Sequence, residues 1–103
     1  MSDEKYVVMV AGIVAAGRED YAADYFRRMA EVSKQDAGCL IYNIHQSADN
    51  PSEFMMYSVW ENKAAFEQHN QREDVQEFKQ ELNKTMLETQ SSMTEWVLLG
   101  QKQ

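Results

Sequence analysis

The sequence predicts one small α+β domain, and three observations carry that reading. The chain has 103 residues, room for a single domain. Four short runs have the apolar and β-branched character of strands, and two longer stretches repeat their apolar residues at steps of three and four. The predicted domain takes in the whole chain, 1–103, with an ordered core over about 5–100.

The first element is Tyr6 to Val14, apolar on both parities and therefore expected to be a strand buried on two faces. Gly17 punctuates the chain. From Arg18 to Asp36, Ala22, Tyr25, Phe26, Met29 and Val32 recur with helical spacing, and Glu19 and Asp20 favour the first turn through the helix dipole. Gly38 is placed to stop that helix. Cys39 to Gln46 alternates as a second strand, Asp49-Asn50-Pro51-Ser52 is a turn by composition, and Phe54 to Trp60 completes a hairpin. Asn62 is a capping residue for a helix from Lys63, with Ala65, Phe66, His69 and Asn70 on its inner face. A kink is expected at Gln71-Arg72-Glu73, then a helical stretch with Val75, Phe78, Leu82 and Met86 inward. Met93 to Leu99 is the last strand.

The order β-α-β-β-α-β is the ferredoxin-like arrangement, two helices covering one face of a four-stranded antiparallel sheet. Strands one and four are apolar on both parities, so the second sheet face also requires cover. At roughly 25 cal/mol per Å² of apolar surface, leaving it wet forfeits several kcal/mol, and a symmetric homodimer is the expected solution.

Composition excludes several functions. With 44% apolar and 26% charged residues the chain has the balance of a folded globular protein. A net charge of −7, from seventeen acidic and ten basic residues, repels nucleic-acid phosphates and anionic membrane surfaces. No run approaches the roughly 18 apolar residues that span a bilayer. The start, Met1-Ser2-Asp3-Glu4, lacks a positive signal region, and the single Cys39 has no disulfide partner, so a cytoplasmic location is expected.

The run Phe54-Met55-Met56-Tyr57-Ser58-Val59-Trp60-Glu61-Asn62-Lys63-Ala64-Ala65-Phe66-Glu67-Gln68-His69 carries a family pattern, a strand ending in Trp-Glu followed by a helix with Ala-Ala-x-x-x-His. With Gly38-Cys39-Leu40, Tyr42 and the Asn50-Pro51 turn, it resembles the antibiotic biosynthesis monooxygenase family of dimeric α+β barrels. That resemblance implies a homodimer with a ligand held between helices and sheet of each subunit. Family activities include cofactor-free oxygenation of quinols and phenols, haem degradation, and isomerisation of a small phosphorylated signal; fold alone does not choose among them.

By strand parity Trp60, Ser58, Met56 and Phe54 are expected to face the pocket, and with Phe66 the first three form the expected binding surface for a small apolar or aromatic molecule. For Trp60 the other reading is a plain core residue. His69, one turn beyond Phe66, is the candidate catalytic group, since imidazole takes and gives protons near neutrality. Its structural alternative is a buried histidine bonded to backbone. The function expected is cofactor-independent monooxygenation of a small quinol-like substrate, with molecular oxygen as co-substrate and no resident cofactor. The alternatives are an isomerase of a small polar metabolite and a non-catalytic binding dimer.

This chain departs from the family pattern. Ser58 stands where members usually carry Glu, and Glu73-Asp74 where many carry Pro-His. Met56 and Phe66 replace the Asn and Tyr of a phenol-oxygenating relative. The haem-degrading branch wants Asn where this chain has Val10, and a histidine around Lys79 that is missing. His45 and His69 lie on different elements and Cys39 is the only thiol, so no zinc site is expected and Cys39 is read as a buried, inert thiol. No glycine-rich phosphate loop is present, and the seven methionines read as core filling. Whether Tyr42, Asn43, His45 and Tyr57 face pocket or dimer is open from sequence.

Overall fold

The computed structural model describes residues 4–86 and 92–99, without the side chains of residues 85 and 86. The inward placing expected for Met86 thus lies outside the described part. The elements run β1 (Tyr6–Ile13), α1 (Glu19–Ser33), β2 (Cys39–Gln46), β3 (Glu53–Trp60), α2 (Lys63–Gln71), α3 (Glu73–Glu81), a π-helical turn (Leu82–Met86) and β4 (Ser92–Val97). They form one antiparallel four-stranded sheet in the order β2-β3-β1-β4, the ferredoxin-like arrangement.

Local chemistry explains the boundaries. At the start of α1, Glu19 accepts the Gly17 N–H at 3.0 Å with one carboxylate oxygen and the Ser52 hydroxyl at 3.0 Å with the other, pinning the helix to the β2–β3 turn. The inner stripe of α1 is Ala22, Phe26, Met29, Ala30 and Ser33. Val32, expected inside, is 43% exposed, because at 100° per residue it is turned well off that stripe. Gly38 sits at φ +82°, and a Cβ there would stand 2.5 Å from that of Ala65, so only glycine lets this turn pass under α2. Asn62 caps α2 by accepting the Ala65 N–H at 2.9 Å. The expected kink falls at Arg72, whose extended backbone (ψ 142°) separates α2 from α3.

Register divides the sheet into two faces. Tyr6, Val8, Val10, Tyr42, Ile44, Met56, Ser58, Trp60 and Met93 share the helix side. Val7, Met9, Ala11, Ile13, Ile41, Asn43, His45, Met55, Tyr57, Val59, Thr94 and Trp96 share the opposite face. Of the four residues left open by sequence, Tyr42 thus turns toward the helices and Asn43, His45 and Tyr57 turn away. The opposite face is apolar along β1, as the two-parity pattern required, and Trp96 remains 55% exposed on it.

Two buried clusters fill the helix side. Val14, Ala22, Phe26, Met29, Phe54, Phe78 and Leu82 form one. Val8, Ala30, Tyr42, Trp60 and Phe66 form the other. Between them the packing leaves a hollow.

Candidate functional site

That hollow is a cavity of about 270 Å³ between the sheet and the paired helices α2 and α3. Val8 and Val10 of β1, Tyr42 and Ile44 of β2, and Phe54 and Met56 of β3 form its floor. Phe66, His69 and Asn70 of α2, Val75, Phe78 and Lys79 of α3, and Leu82, Asn83 and Met93 complete the wall. Few polar groups interrupt an apolar lining, the usual make-up of a small-molecule site.

His69 is the central polar group, 5% exposed, and α2 delivers it one turn after Phe66 on the buried stripe. Its Nδ1 lies 2.6 Å from Oδ2 of Asp36, in the turn after α1. An ionised carboxylate can only accept, so Nδ1 carries the proton and Nε2 keeps the lone pair. The other oxygen of Asp36 accepts from Arg72, which also grips Asp74 with two bonds of 2.6 and 3.0 Å. Behind the imidazole, the Trp60 ring centroid is 4.6 Å away, and Tyr42 packs at 5.8 Å.

Burial, and then the Lys79 charge, push the His69 pKa down to about 4, with Asp74 pulling upward. The Asp36 carboxylate on Nδ1 also favours the imidazolium. Arg72 shares that carboxylate, however, and the apolar wall favours the neutral ring. Burial raises the Tyr42 hydroxyl to about 12, so it stays protonated beside the cavity.

Among the residues singled out from sequence, Met56, Phe66 and His69 stand on the cavity wall. Ser58 and Trp60 share the expected strand face but lie beneath the wall, each fully buried. The Ser58 hydroxyl accepts the Trp60 indole N–H at 2.9 Å and donates to the Val8 carbonyl at 3.3 Å, which satisfies both side chains internally. Trp60 therefore supports His69 from behind, the core reading of that residue. His69 bonds to a carboxylate rather than to backbone.

Sequence reasoning missed Asp36 and Lys79. Asp36 is 33 positions from His69, and no spacing links them. Lys79 is i+4 from Val75 and i+1 from Phe78, so the inward stripe of α3 offered a weak pointer to it. Cys39 is half-buried rather than buried, and burial raises its pKa, which disfavours the thiolate. Among the described residues no group of three or more His, Cys, Asp or Glu side chains comes together as a metal site, and no helix is long and apolar enough to cross a membrane.

The fold and its helix-side cavity place the chain in a known class. The sequence model for antibiotic biosynthesis monooxygenases matches residues 5–81, and the chain belongs to that family. Solved structures agree on the fold. PA3566 from Pseudomonas aeruginosa is 23% identical with a TM-score of 0.85, over 97% of this chain and 99% of that one. A candidate antibiotic biosynthesis monooxygenase from Nitrosomonas europaea is 20% identical with a TM-score of 0.84, covering 97% and 94%. Rv0793 from Mycobacterium tuberculosis is 14% identical with a TM-score of 0.86, covering 96% and 99%. No curated protein matches the sequence.

Proposed function

We propose that the protein is a cofactor-independent monooxygenase of small aromatic, quinol-like molecules, working as a homodimer. The observation that carries this reading is the 2.6 Å contact that fixes His69 Nδ1 on Asp36 at the wall of an otherwise apolar cavity. In this reading a flat ring lies among Phe66, Phe78, Val10 and Met56, with its hydroxyl offered to Nε2. His69 accepts the hydroxyl proton, and Asp36 holds the resulting imidazolium. The phenolate gives one electron to molecular oxygen, the radical pair combines at a ring carbon, and loss of water yields a quinone. One oxygen atom enters the ring and the other leaves as water. The substrate supplies all the electrons, so the balance needs no external reductant.

The homodimer rests on the back of the sheet. Met9, Ile13, Ile41, Tyr57 and Trp96 lie on the face away from the described helices, and Ile13, Ile41 and Trp96 are 40%, 40% and 55% exposed. A second copy laid sheet to sheet removes that surface from water.

Oxygen uptake with a panel of quinols and naphthols tests the activity. Wild type is expected to consume one O₂ per substrate, and His69→Ala to lose activity by about 10²–10⁴-fold. Equal turnover under nitrogen would replace the oxygenase with an isomerase, the reading that the cavity-wall cation Lys79 also suits.

A further inference from the structure

His69 is not the only ionisable group on the cavity wall. Lys79 of α3 lines the same cavity, half-buried, and also borders a surface groove formed by Gln76, Gln80, Asn83 and Lys84. Its ammonium donates to the Asn70 side-chain oxygen, a neutral partner. Among the described residues it has no ion pair within 4 Å, although the other cation at this site, Arg72, is bound by two carboxylates. A cation held against apolar walls with no ion-pair partner among the described residues is an attractive place for an anion to bind.

Resting on the aromatic-hydroxyl reading of this cavity, we propose that Lys79 is a substrate-binding residue. It holds the oxygen that His69 deprotonates, so the protein selects aromatic molecules with an acidic hydroxyl and binds them as oxyanions. In the binding step the proton passes from substrate oxygen to His69 Nε2, the electron pair of the O–H bond stays on that oxygen, and the new anion lies in the field of Lys79. The imidazolium it leaves behind is held by Asp36.

Two further observations agree. The Lys79 charge reaches His69 and lowers its basicity, which places the two groups in one electrostatic neighbourhood. A base that weak accepts a proton most readily from a hydroxyl that is itself acidic, as in an aromatic ring conjugated to a carbonyl or nitro group. Among the described residues, the charged and titratable groups acting on Lys79 are His69 from α2 and Glu95 from β4, whose carboxylate is engaged by the Tyr6 hydroxyl. Glu95 acts on it without an ion pair. Burial lowers the Lys79 pKa, and an anionic ligand would restore it.

The test uses 4-nitrophenol, whose phenolate is yellow, titrated from pH 5 to 9 with excess full-length protein. Wild type is expected to bind the phenolate form and to lower the probe's ionisation midpoint by about one pH unit. Lys79→Arg keeps that shift and Lys79→Met abolishes it, with both variants folded by circular dichroism. A shift in Lys79→Met equal to that of wild type, binding of the neutral phenol, or no binding at millimolar protein would each overturn the inference. The readout is separate from catalysis: an intact shift without oxygen uptake refutes the oxygenase and leaves the Lys79 site standing.

Discussion

Asp36 and His69, 33 positions apart, meet at 2.6 Å where the turn after α1 crosses the end of α2. The contact joins a loop carboxylate to a helix imidazole across the mouth of two elements, and Arg72 closes it from the α2–α3 break. Removing the carboxylate leaves His69 in place but unsupported. Asp36→Asn is expected to reduce kcat about 10- to 1,000-fold, because an opposite charge within hydrogen-bond reach moves a pKa by one to three units. KM should change little. Steady-state kinetics of a variant with unchanged circular dichroism checks it, and an unaltered kcat removes Asp36 from the mechanism.

The depressed pKa of His69 makes stability pH-dependent. In the unfolded chain this imidazole has its ordinary pKa of 6.5, and burial in the folded state pushes it down to about 4. Between those values the unfolded state binds more protons, so stability is fully present above pH 6.5 and falls as pH drops toward 4. The part assignable to His69 is up to roughly 3 kcal/mol. Urea unfolding at pH 7 and 5 should show the loss in wild type and a smaller one in His69→Gln. Equal losses would mean that other groups carry it.

Ser58 is structural in this arrangement. Ser58→Ala strands the buried Trp60 indole N–H, at an expected penalty of about 1–3 kcal/mol in denaturant unfolding, with KM close to wild type. A large KM change with unchanged stability would return Ser58 to the binding surface.

The two left-handed glycines among the described residues should behave differently. Gly17 has φ +88° and open space around it, so Gly17→Ala is expected to be destabilising by about 1–2 kcal/mol of backbone strain alone. Gly38→Ala adds the clash with Ala65 and moves the turn that carries Asp36, so it should be both less stable and less active. Melting temperatures of the two variants decide the order.

The back of the sheet supplies a fifth test. Met9 lies between Tyr57 and Thr94 on the face away from the cavity. Met9→Glu is expected to shift sedimentation from dimer to monomer at micromolar concentration while phenolate binding persists. A wild type that sediments as a monomer refutes the dimer.

Most of the fold was legible because period and punctuation are local properties. Cys39–Gln46, the Asn62 cap and the break at Arg72 follow from neighbouring residues alone. Val32 misled because a three-and-four repeat fits more than one stripe, and Ala30 and Ser33, too small or polar to stand out, fill the true one. The site was legible only in part. His69, Phe66 and Met56 follow from spacing and parity, whereas Asp36 and Lys79 join them through a turn and a helix packing that no periodicity encodes. Ser58 and Trp60 have the expected parity, but a mutual hydrogen bond lets them fill the layer below the cavity.

The state of the His69 ring is the point on which the chemistry depends. Its ¹⁵N chemical shifts at pH 7, in uniformly labelled protein, report the two nitrogens separately. A protonated Nδ1 with an unprotonated Nε2, converting to the other tautomer or averaging in Asp36→Asn, is the result expected for a proton acceptor fixed by Asp36. A ring doubly protonated at pH 7, or one carrying its proton on Nε2, would contradict it.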